Sequence, residues 1–236
     1  MIYVLYTNDI ILAGPSEIRI QATIKQMQEV GLQISIEGDL EYFLGVNINR
    51  TSRGAIHLKQ PHLIDSILQD LQLKKGESKC KDTPMKSSTV LNKSKDSPKF
   101  DRSFNYQSFI GKMNYLEKGS QSELAYAIHQ CARYSADPRK EHGDAVRWIG
   151  RYLLVTPRKG LILKPDLARS FEVFFDSNFC GNWNKQYARE TDSVRSRHGY
   201  IIMYAGCPIV SKSQLQTEIA LSTTEAEYTG LSYALI

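Results

Sequence analysis

The chain has 236 residues, of which 42% are hydrophobic, and its formal net charge is +5. This length allows one or two hydrophobic cores, and no apolar run approaches the roughly 18 residues that a membrane helix needs. The four cysteines lie far apart without a C-x-x-C pair, which argues against a disulfide framework or a zinc site, and no signal peptide is visible. We therefore expect an intracellular protein, cytoplasmic or nuclear, that is not secreted and has no membrane partner.

The N-terminal segment carries three predicted elements. MIYVLYTNDIILAG at 1–14 predicts a β-hairpin, because two apolar runs flank a tight polar turn at 7–9. A helix is predicted between Ser16, a typical N-cap residue, and Gly31, a typical C-terminal stop. LEYFLGVNI at 40–48 then predicts one strand.

The middle of the chain is predicted to be mostly helical. After a short strand, HLIDSILQDLQL at 62–73 has the apolar stripe of an amphipathic helix that packs on a core. The lysine-rich, aperiodic stretch 74–103 predicts a loop or linker, and three helical patterns follow it between 104 and 165. His142 precedes the last of these helices, and its spacing resembles no metal pair. We expect it to cap the helix or to pack.

The C-terminal third contains two carboxylates that suit one metal site. Asp176 ends the apolar strand FEVFF, although an aspartate there is often only a turn former. The S-x-x-E sequence at 222–225 is a capping box that begins a helix, so Glu225 is expected to be structural. Glu227 falls on the apolar face of this helix, where it forms a salt bridge, lies at a half-exposed rim, or binds a metal. Phosphodiester cleavage with two magnesium ions needs several carboxylates, so two are too few.

Five segments of the chain form a recognisable series of motifs: YTNDIILAG at 6–14, FDSNFCGNW at 175–183, RSRHGY at 195–200, SKSQLQ at 211–216 and LSTTEAEY at 221–228. These segments resemble motifs of one family, the Pol polyprotein of copia-type retrotransposons. The reverse transcriptase of that family carries YVDDIILAG, and its ribonuclease H carries SDADWAG, RSTSGY, WKSKKQ and LSSTEAEY in this order. The similarity extends over nearly the whole chain and is most specific at its two ends.

By this resemblance we expect an α+β protein, in which a partial reverse transcriptase palm and connection precede a truncated ribonuclease H-like mixed sheet with a helix. The implied divisions are a palm remnant with a thumb-like helix over 1–73, a linker over 74–103, a helical connection over 104–165, and the N-terminal part of the ribonuclease H over 166–236.

The resemblance also implies sites for Mg²⁺. Asp176 and Glu227 match the first two metal-binding carboxylates of the ribonuclease H. Asp9 matches one of the two adjacent aspartates that hold the polymerase metals, and Asn8 replaces the other. These three acids are the candidate catalytic and metal-binding residues. An asparagine brings no negative charge, so we expect no polymerase activity.

The ribonuclease H site is expected to be incomplete as well. Its third carboxylate would lie beyond Ile236, and the local acids Glu190 and Asp192 lie on a loop that nothing in the sequence places in the site. Asn178 replaces a further acid of the family pattern, and Ser211 replaces its tryptophan.

Basic residues near the two carboxylates suit a polyanionic partner. Arg195, Arg197 and Lys212 are predicted to contact phosphates of an RNA–DNA hybrid or of another nucleic acid, without reading its sequence. Aromatic and basic residues alternate over 187–200, which is also typical of a solvated loop face. The rest of the Pol polyprotein is a second implied partner.

Three hypotheses about function follow from these residues. The first is a fragment of a Pol polyprotein whose family activities, RNA-directed DNA polymerase and RNA–DNA hybrid ribonuclease, the fragment itself lacks. The second is a nucleic-acid-binding remnant, and the third is a weakly active magnesium-dependent ribonuclease H. Because later strands of a ribonuclease H would be missing, we also expect Leu231, Leu235 and Ile236 to lack burial partners and the C-terminal part to be weakly folded.

Overall fold

The structure is a computed structural model that describes residues 1–86, 89, 91–93, 97–181, 183, 185 and 191–236. The chain forms two compact units, Met1–Phe43 and Leu44–Ile236. Helices and strands alternate along it, which confirms the mixed helix and strand content of the predicted α+β class. The predicted boundaries near 73, 103 and 165 stay predictions. Within the described ranges, no helix is long and apolar enough to cross a membrane.

The first unit begins with the predicted hairpin. Strands β1 (Ile2–Tyr6) and β2 (Asp9–Ala13) pair antiparallel, and Tyr6 lies opposite Asp9 next to the turn. Only two residues connect the strands, and Thr7 adopts a left-handed conformation with φ of 50°. Helix α1 (Glu17–Glu29) follows Ser16 and ends before Gly31, as predicted, although the Ser16 side chain makes no capping hydrogen bond.

The single strand predicted over 40–48 is wrong. The structure has a short strand β3 (Tyr42–Phe43) and a separate strand β4 (Val46–Arg50). Leu44 and Gly45 between them have φ values of 47° and 79°. Two consecutive residues with positive φ reverse the chain direction, so an extended strand cannot continue through them.

The second unit begins with an antiparallel sheet and a helix. Strand β4 pairs with β5 (Ile56–Lys59), and β5 also pairs with β6 (Leu161–Leu163). Helix α2 (Pro61–Asp70) starts directly after β5 with a proline in its first turn, where no backbone N–H is needed. Its side chains Ile64 and Ile67 are fully buried, which confirms a core-facing amphipathic helix.

Three predicted helices build most of the hydrophobic core of this unit. They are α3 (Tyr106–Gly119), α4 (Ala125–Ala132), which a 3-10 turn at Ser122–Leu124 precedes, and α5 (Lys140–Leu153). Their fully buried side chains recur at helical spacing and meet those of α2, as expected from the apolar periodicity. The largest of them are Phe109, Met113, Leu116, Ile128 and Ile149.

His142 lies in the first turn of α5 rather than before it, and there it both caps the helix and packs, the two roles predicted for it. Its Nδ1 accepts a hydrogen bond of 2.9 Å from the backbone N–H of Arg139, and its Nε2 lies 2.9 Å from the carbonyl oxygen of Asn92. The ring stacks on Tyr134 at 3.9 Å between centroids. Burial is the main cause that lowers the pKa of His142.

The described residues of the segment 74–103 form a loop that lies on these helices. Its described residues contain no helix and no strand beyond an isolated bridge from Lys99. Leu91 is buried, and its carbonyl oxygen accepts a hydrogen bond of 2.6 Å from the Tyr134 hydroxyl. The Trp148 indole donates one of 2.9 Å to the carbonyl oxygen of Thr83. The loop therefore completes one side of the helical core.

A second antiparallel sheet forms the C-terminal part. Its strands, in spatial order, are β7 (Phe171–Asn178), β8 (Arg197–Tyr204) and β9 (Cys207–Leu215). The short helix α6 (Thr191–Val194) precedes β8, and helix α7 (Thr223–Leu235) packs on β7 and β8. Leu235 and Ile236 are exposed and Leu231 is half-buried, which agrees with the expected shortage of burial partners at this end.

Candidate functional site

Asp176 lies inside β7, whereas the sequence predicted that it ends the strand. It pairs with Gly199 of β8, which in turn pairs with Ser213 of β9. The next cross-strand row consists of Ser177, His198 and Gln214. Successive residues of a strand point to opposite faces of the sheet, so these two rows face opposite sides. The Asp176 carboxylate is exposed.

Helix α7 covers the face that carries Ser177 and His198. A Cβ atom added at Gly230 would collide with the Ser177 hydroxyl and lie 3.3 Å from the His198 Cβ. The His198 ring stacks on Tyr233 of the helix at 4.5 Å between centroids. Glycine at 230 therefore permits the close approach of helix and sheet. Asp176 lies on the other face of the sheet.

The start of α7 confirms the predicted capping box. The Ser222 hydroxyl accepts a hydrogen bond of 3.1 Å from the Glu225 backbone N–H, and the Glu225 carboxylate accepts one of 2.7 Å from the backbone N–H of Leu221. The Ser222 hydroxyl thus satisfies one of the N–H donors that a helix start leaves free, and Glu225 holds the residue before the cap. Glu225 is therefore structural, as predicted.

Replacing Ser222 with alanine is expected to lower the free energy of unfolding by about 1 kcal/mol, because the first turn of α7 loses its side-chain cap. Urea unfolding followed by circular dichroism measures the change. Ser232→Ala, on the exposed side of the same helix, is the matched control and should have little effect. Equal effects of both substitutions would mean that the cap does not stabilise the folded state.

Glu227 is half-buried at the edge of the helix–sheet contact. The buried line of α7 consists of Ala226, Gly230 and Ala234. The sequence predicted an inward face centred on Glu227 instead, which is a rotation of about one residue, or 100°, around the helix. Small residues occupy the buried line because the helix lies so close to the sheet.

The role of Asp176 and Glu227 in metal binding stays a prediction. Alternation along β7 places Asp176 on the face of the sheet opposite α7, the helix that carries Glu227. Asp192 is engaged in ion pairs with Arg133 at 3.2 Å and Arg195 at 3.6 Å. In the part of the chain that the structure describes, no group of three histidine, cysteine, aspartate or glutamate side chains could hold a metal ion. Glu190 lies outside the described residues.

Asp9, the candidate acid of the palm, lies at the tip of the first hairpin. It is exposed at the first position of β2, directly after Asn8 in the turn. The hairpin geometry therefore matches the prediction, with an amide beside the carboxylate. The role of Asp9 in metal binding stays a prediction.

The face of the sheet opposite α7 carries a buried arginine. Arg197 is only 8% exposed. Its Nη1 donates hydrogen bonds to the Nδ1 of His129 at 3.1 Å and to the Ser213 hydroxyl at 3.3 Å. The Tyr126 ring lies 5.1 Å from its Cζ. Burial lowers the pKa of Arg197 to about 10, so the group remains charged at neutral pH.

The three predicted phosphate contacts do not lie on one continuous surface. Lys212 is exposed on β9, and its cross-strand partner is Tyr200, in a row that belongs to the α7 face. Arg195 is half-buried and paired with Asp192, and Arg197 is in the interior of the opposite face. Their role in nucleic-acid binding stays a prediction. Tyr187 and Arg189 from the same stretch lie outside the described residues.

Two histidines near Arg197 were not identified as a pair from the sequence. Burial, followed by the nearby Arg197, lowers the pKa of His129 to about 4, and burial, followed by the nearby Lys212, lowers that of His198 to about 4. Both are therefore neutral at pH 7. The only sequence signal for His198 is its position one residue after Arg197, which places the two side chains on opposite faces of β8.

Comparison with known proteins identifies relatives over nearly the whole chain. The retrovirus-related Pol polyprotein from transposon RE2 of Arabidopsis thaliana is 28% identical over 233 residues, and that from transposon TNT 1-94 of Nicotiana tabacum is 29% identical over 235 residues. These matches cover 98% and 97% of the chain, which spans only 15% and 17% of the two polyproteins.

A shorter relative has a similar extent. The putative transposon Ty5-1 protein of Saccharomyces cerevisiae is 26% identical over 225 residues, which are 95% of this chain and 69% of that protein. No family model matches the chain, and no solved structure matches it.

Proposed function

We propose that the chain belongs to the family of retrovirus-related Pol polyproteins of copia-type transposons, and that it spans the end of the reverse transcriptase and the start of the ribonuclease H of such a polyprotein. We propose that it binds RNA–DNA hybrids and that it neither copies nor cleaves them by itself. Other parts of the polyprotein are the proposed source of the site residues that this chain does not bring together.

The observation that supports this proposal is that Asp176 and helix α7, which carries Glu227, lie on opposite faces of the sheet. Cleavage by two magnesium ions requires carboxylates that converge on one point. In this chain, the cross-strand register assigns Asp176 to one face of the sheet and α7 to the other. Asn8 beside Asp9 supports the proposed absence of polymerase activity. The asparagine amide carries no charge, so it does not neutralise the charge of a bound metal ion as a carboxylate does.

The purified chain is expected to show no magnesium-dependent cleavage of an end-labelled RNA annealed to DNA. The test compares it with Glu227→Gln under identical conditions, and an unrelated active ribonuclease H shows that the substrate can be cut. Circular dichroism establishes that both samples are folded. Cleavage by the unmodified chain that Glu227→Gln abolishes would overturn the proposal and support a weakly active ribonuclease H.

Binding of the hybrid is expected to weaken steeply with salt, because each phosphate contact releases a counterion and contributes about −0.9 to the slope of log K against log salt. The net charge of +5 and the exposed Lys212 favour this second part of the proposal. Lys212→Gln should reduce the slope by about one, whereas Lys25→Gln on the surface of α1 should leave it unchanged. Chelation of divalent ions should leave the affinity unchanged, and a flat salt response would contradict the binding role.

A further inference from the structure

The C-terminal sheet has one edge that no described strand covers. Strand β7 pairs with β8 on one side, and among the residues that the structure describes no strand pairs with its other side. An edge strand presents a row of backbone N–H and C=O groups to which another strand can bind. Strand β7 has eight residues, which is longer than most strands, and offers such a row along its length.

The two edges of this sheet are protected differently. Lysine and proline in an edge strand discourage pairing with other chains, because lysine brings a charge into the contact and proline lacks an N–H donor. Strand β9, at the other edge, contains both Pro208 and Lys212 and also contacts α4. Strand β7 contains neither residue type, and its two acids, Glu172 and Asp176, lie on the face opposite α7. The other face of β7 therefore carries no charge that would oppose pairing.

Aromatic side chains of β7 are exposed. Phe171, Phe174 and Phe175 are 66%, 57% and 38% exposed. Because a phenylalanine buries about 150–250 Å² when it is covered, these fractions leave roughly 300 Å² of aromatic surface in contact with water. A standard interface buries about 800 Å² on each partner, so pairing through β7 is expected to be weak and reversible.

We propose that this edge binds a second copy of the same chain, with the two β7 strands paired antiparallel around a two-fold axis. Identical strands suit this arrangement, because the same edge serves both partners. One contact covers both unprotected edges and joins two three-stranded sheets into one continuous sheet. Association therefore stops at the dimer.

The side chains of β7 select one register for this pairing. Directly opposite residues of an antiparallel pair lie on the same face, so the two-fold axis passes through a residue of β7. With the axis at Val173, Phe171 of each copy lies opposite Phe175 of the other. The contact on the face toward α7 is then apolar throughout. On the other face, Glu172 lies opposite Phe174 and retains its ion pair of 2.6 Å with Arg169 of its own chain.

The neighbouring registers bring less compatible residues together. With the axis at Phe174, Glu172 of each copy would lie opposite Asp176 of the other, and like charges in that position are destabilising. With the axis at Phe175, Phe174 would cover the Asp176 carboxylate, which lacks a counter-charge there. Burial of an unpaired carboxylate is costly. The axis at Val173 avoids both contacts.

The test is analytical ultracentrifugation of the whole chain without nucleic acid, over roughly 1 to 100 μM, the range in which a weak interface associates. A monomer–dimer equilibrium is expected. Val173→Lys places two positive charges opposite each other at the axis and should weaken dimerisation by roughly tenfold. Val210→Lys is the matched control, because Val210 lies in the same cross-strand row and on the same face but in β9.

The control should leave dimerisation unchanged. A chain that is monomeric at every concentration would overturn the proposal and leave the edge of β7 to a strand of another polypeptide. A dimer that Val173→Lys and Val210→Lys weaken equally, or association that continues beyond the dimer, would overturn it as well.

Cysteine variants test the register and keep the proposal falsifiable if Val173→Lys impairs folding. They are made with Cys80→Ser, because Cys80 is exposed, and Cys80→Ser alone is the background control. Val173→Cys should form an intermolecular disulfide on mild oxidation, since the two thiols face each other at the axis. Phe171→Cys alone should not, because its two copies would lie about 13 Å apart along the strands.

A mixture of the Phe171→Cys and Phe175→Cys chains should form the disulfide, because the axis at Val173 brings these two positions together. Absence of a disulfide in both Val173→Cys and the mixture would overturn the proposed pairing. A disulfide in Phe175→Cys alone, without one in Val173→Cys, would place the axis at Phe175 and overturn the register.

The dimer does not rest on the proposed hybrid binding, and the two proposals fail separately. Val173→Lys is expected to bind an RNA–DNA hybrid as the unmodified chain does. Hybrid binding by a chain that stays monomeric would overturn only the dimer. A dimer that Val173→Lys disrupts, in a chain that binds no hybrid, would overturn only the proposed function.

Discussion

Gly230→Val is expected to lower the free energy of unfolding by about 3 kcal/mol or more, because overpacking a tight contact forces the surrounding structure apart. The added side chain would collide with the Ser177 hydroxyl and press against the His198 Cβ, 3.3 Å from the first added carbon. Helix α7 would have to move away from the sheet. Its buried hydrogen bond of 2.8 Å from the Gln216 amide to the Ala226 carbonyl oxygen would then be lost as well.

Gly111→Val in α3 is the matched control for this experiment. It makes the same change in the interior of a helix, but nothing lies within 4 Å of the added Cβ. Valine is a slightly better helix former than glycine, so the change should be within about 0.5 kcal/mol of neutral. Ser177→Gly should recover part of the loss in a double variant. Urea unfolding that shows equal effects for both glycines would mean that α7 does not pack on β7 and β8.

The helical part of the fold could be predicted from the sequence because its signals are local. Phe109 and Met113 are four residues apart, and both are fully buried on one face of α3. His142 was expected to cap or pack because its neighbours define the start of a helix, and it does both. Each of these predictions depends on residues within one or two turns.

The candidate metal site could not be predicted in the same way. Alternation along β7 shows that Asp176 and Ser177 face opposite sides, but it does not show which side a helix from the end of the chain will cover. This depends on the close contact of Gly230 with Ser177 and His198, which joins residues far apart in the chain. Matching Asp176 and Glu227 to a family motif therefore identified the residues without establishing that they converge.

The burial of charged and polar residues was a second feature that could not be predicted from the sequence. Arg197 and His198 are adjacent and polar, which is typical of a solvated loop, yet they are 8% and 1% exposed on opposite faces of β8. Their burial depends on α4 on one face and α7 on the other, and both contacts join residues far apart in the chain. The single strand predicted over 40–48 was wrong for a similar reason. Its apolar residues suggested an extended chain and gave no sign that the backbone reverses at Leu44 and Gly45.

Acidification from pH 7 to pH 5 is expected to destabilise the folded chain through three histidines. Burial is the main cause that lowers the pKa of His129 and His198 to about 4 and that of His142 below its usual value. In the unfolded chain each would titrate near 6.5. The unfolded state therefore binds more protons as the pH falls below 6.5, and the free energy of unfolding decreases toward the folded-state pKa of about 4 of His129 and His198.

His198→Phe isolates one of these groups. Phenylalanine retains the stack on Tyr233, and neither ring nitrogen of His198 has a hydrogen-bond partner that would be lost. The charges that oppose its protonation are Lys212 and Arg197. The variant should reduce the pH slope of the unfolding free energy by about one proton between pH 6.5 and 5. Urea unfolding at closely spaced pH values measures this slope, and an unchanged slope would mean that His198 already protonates in the folded state near its usual pKa.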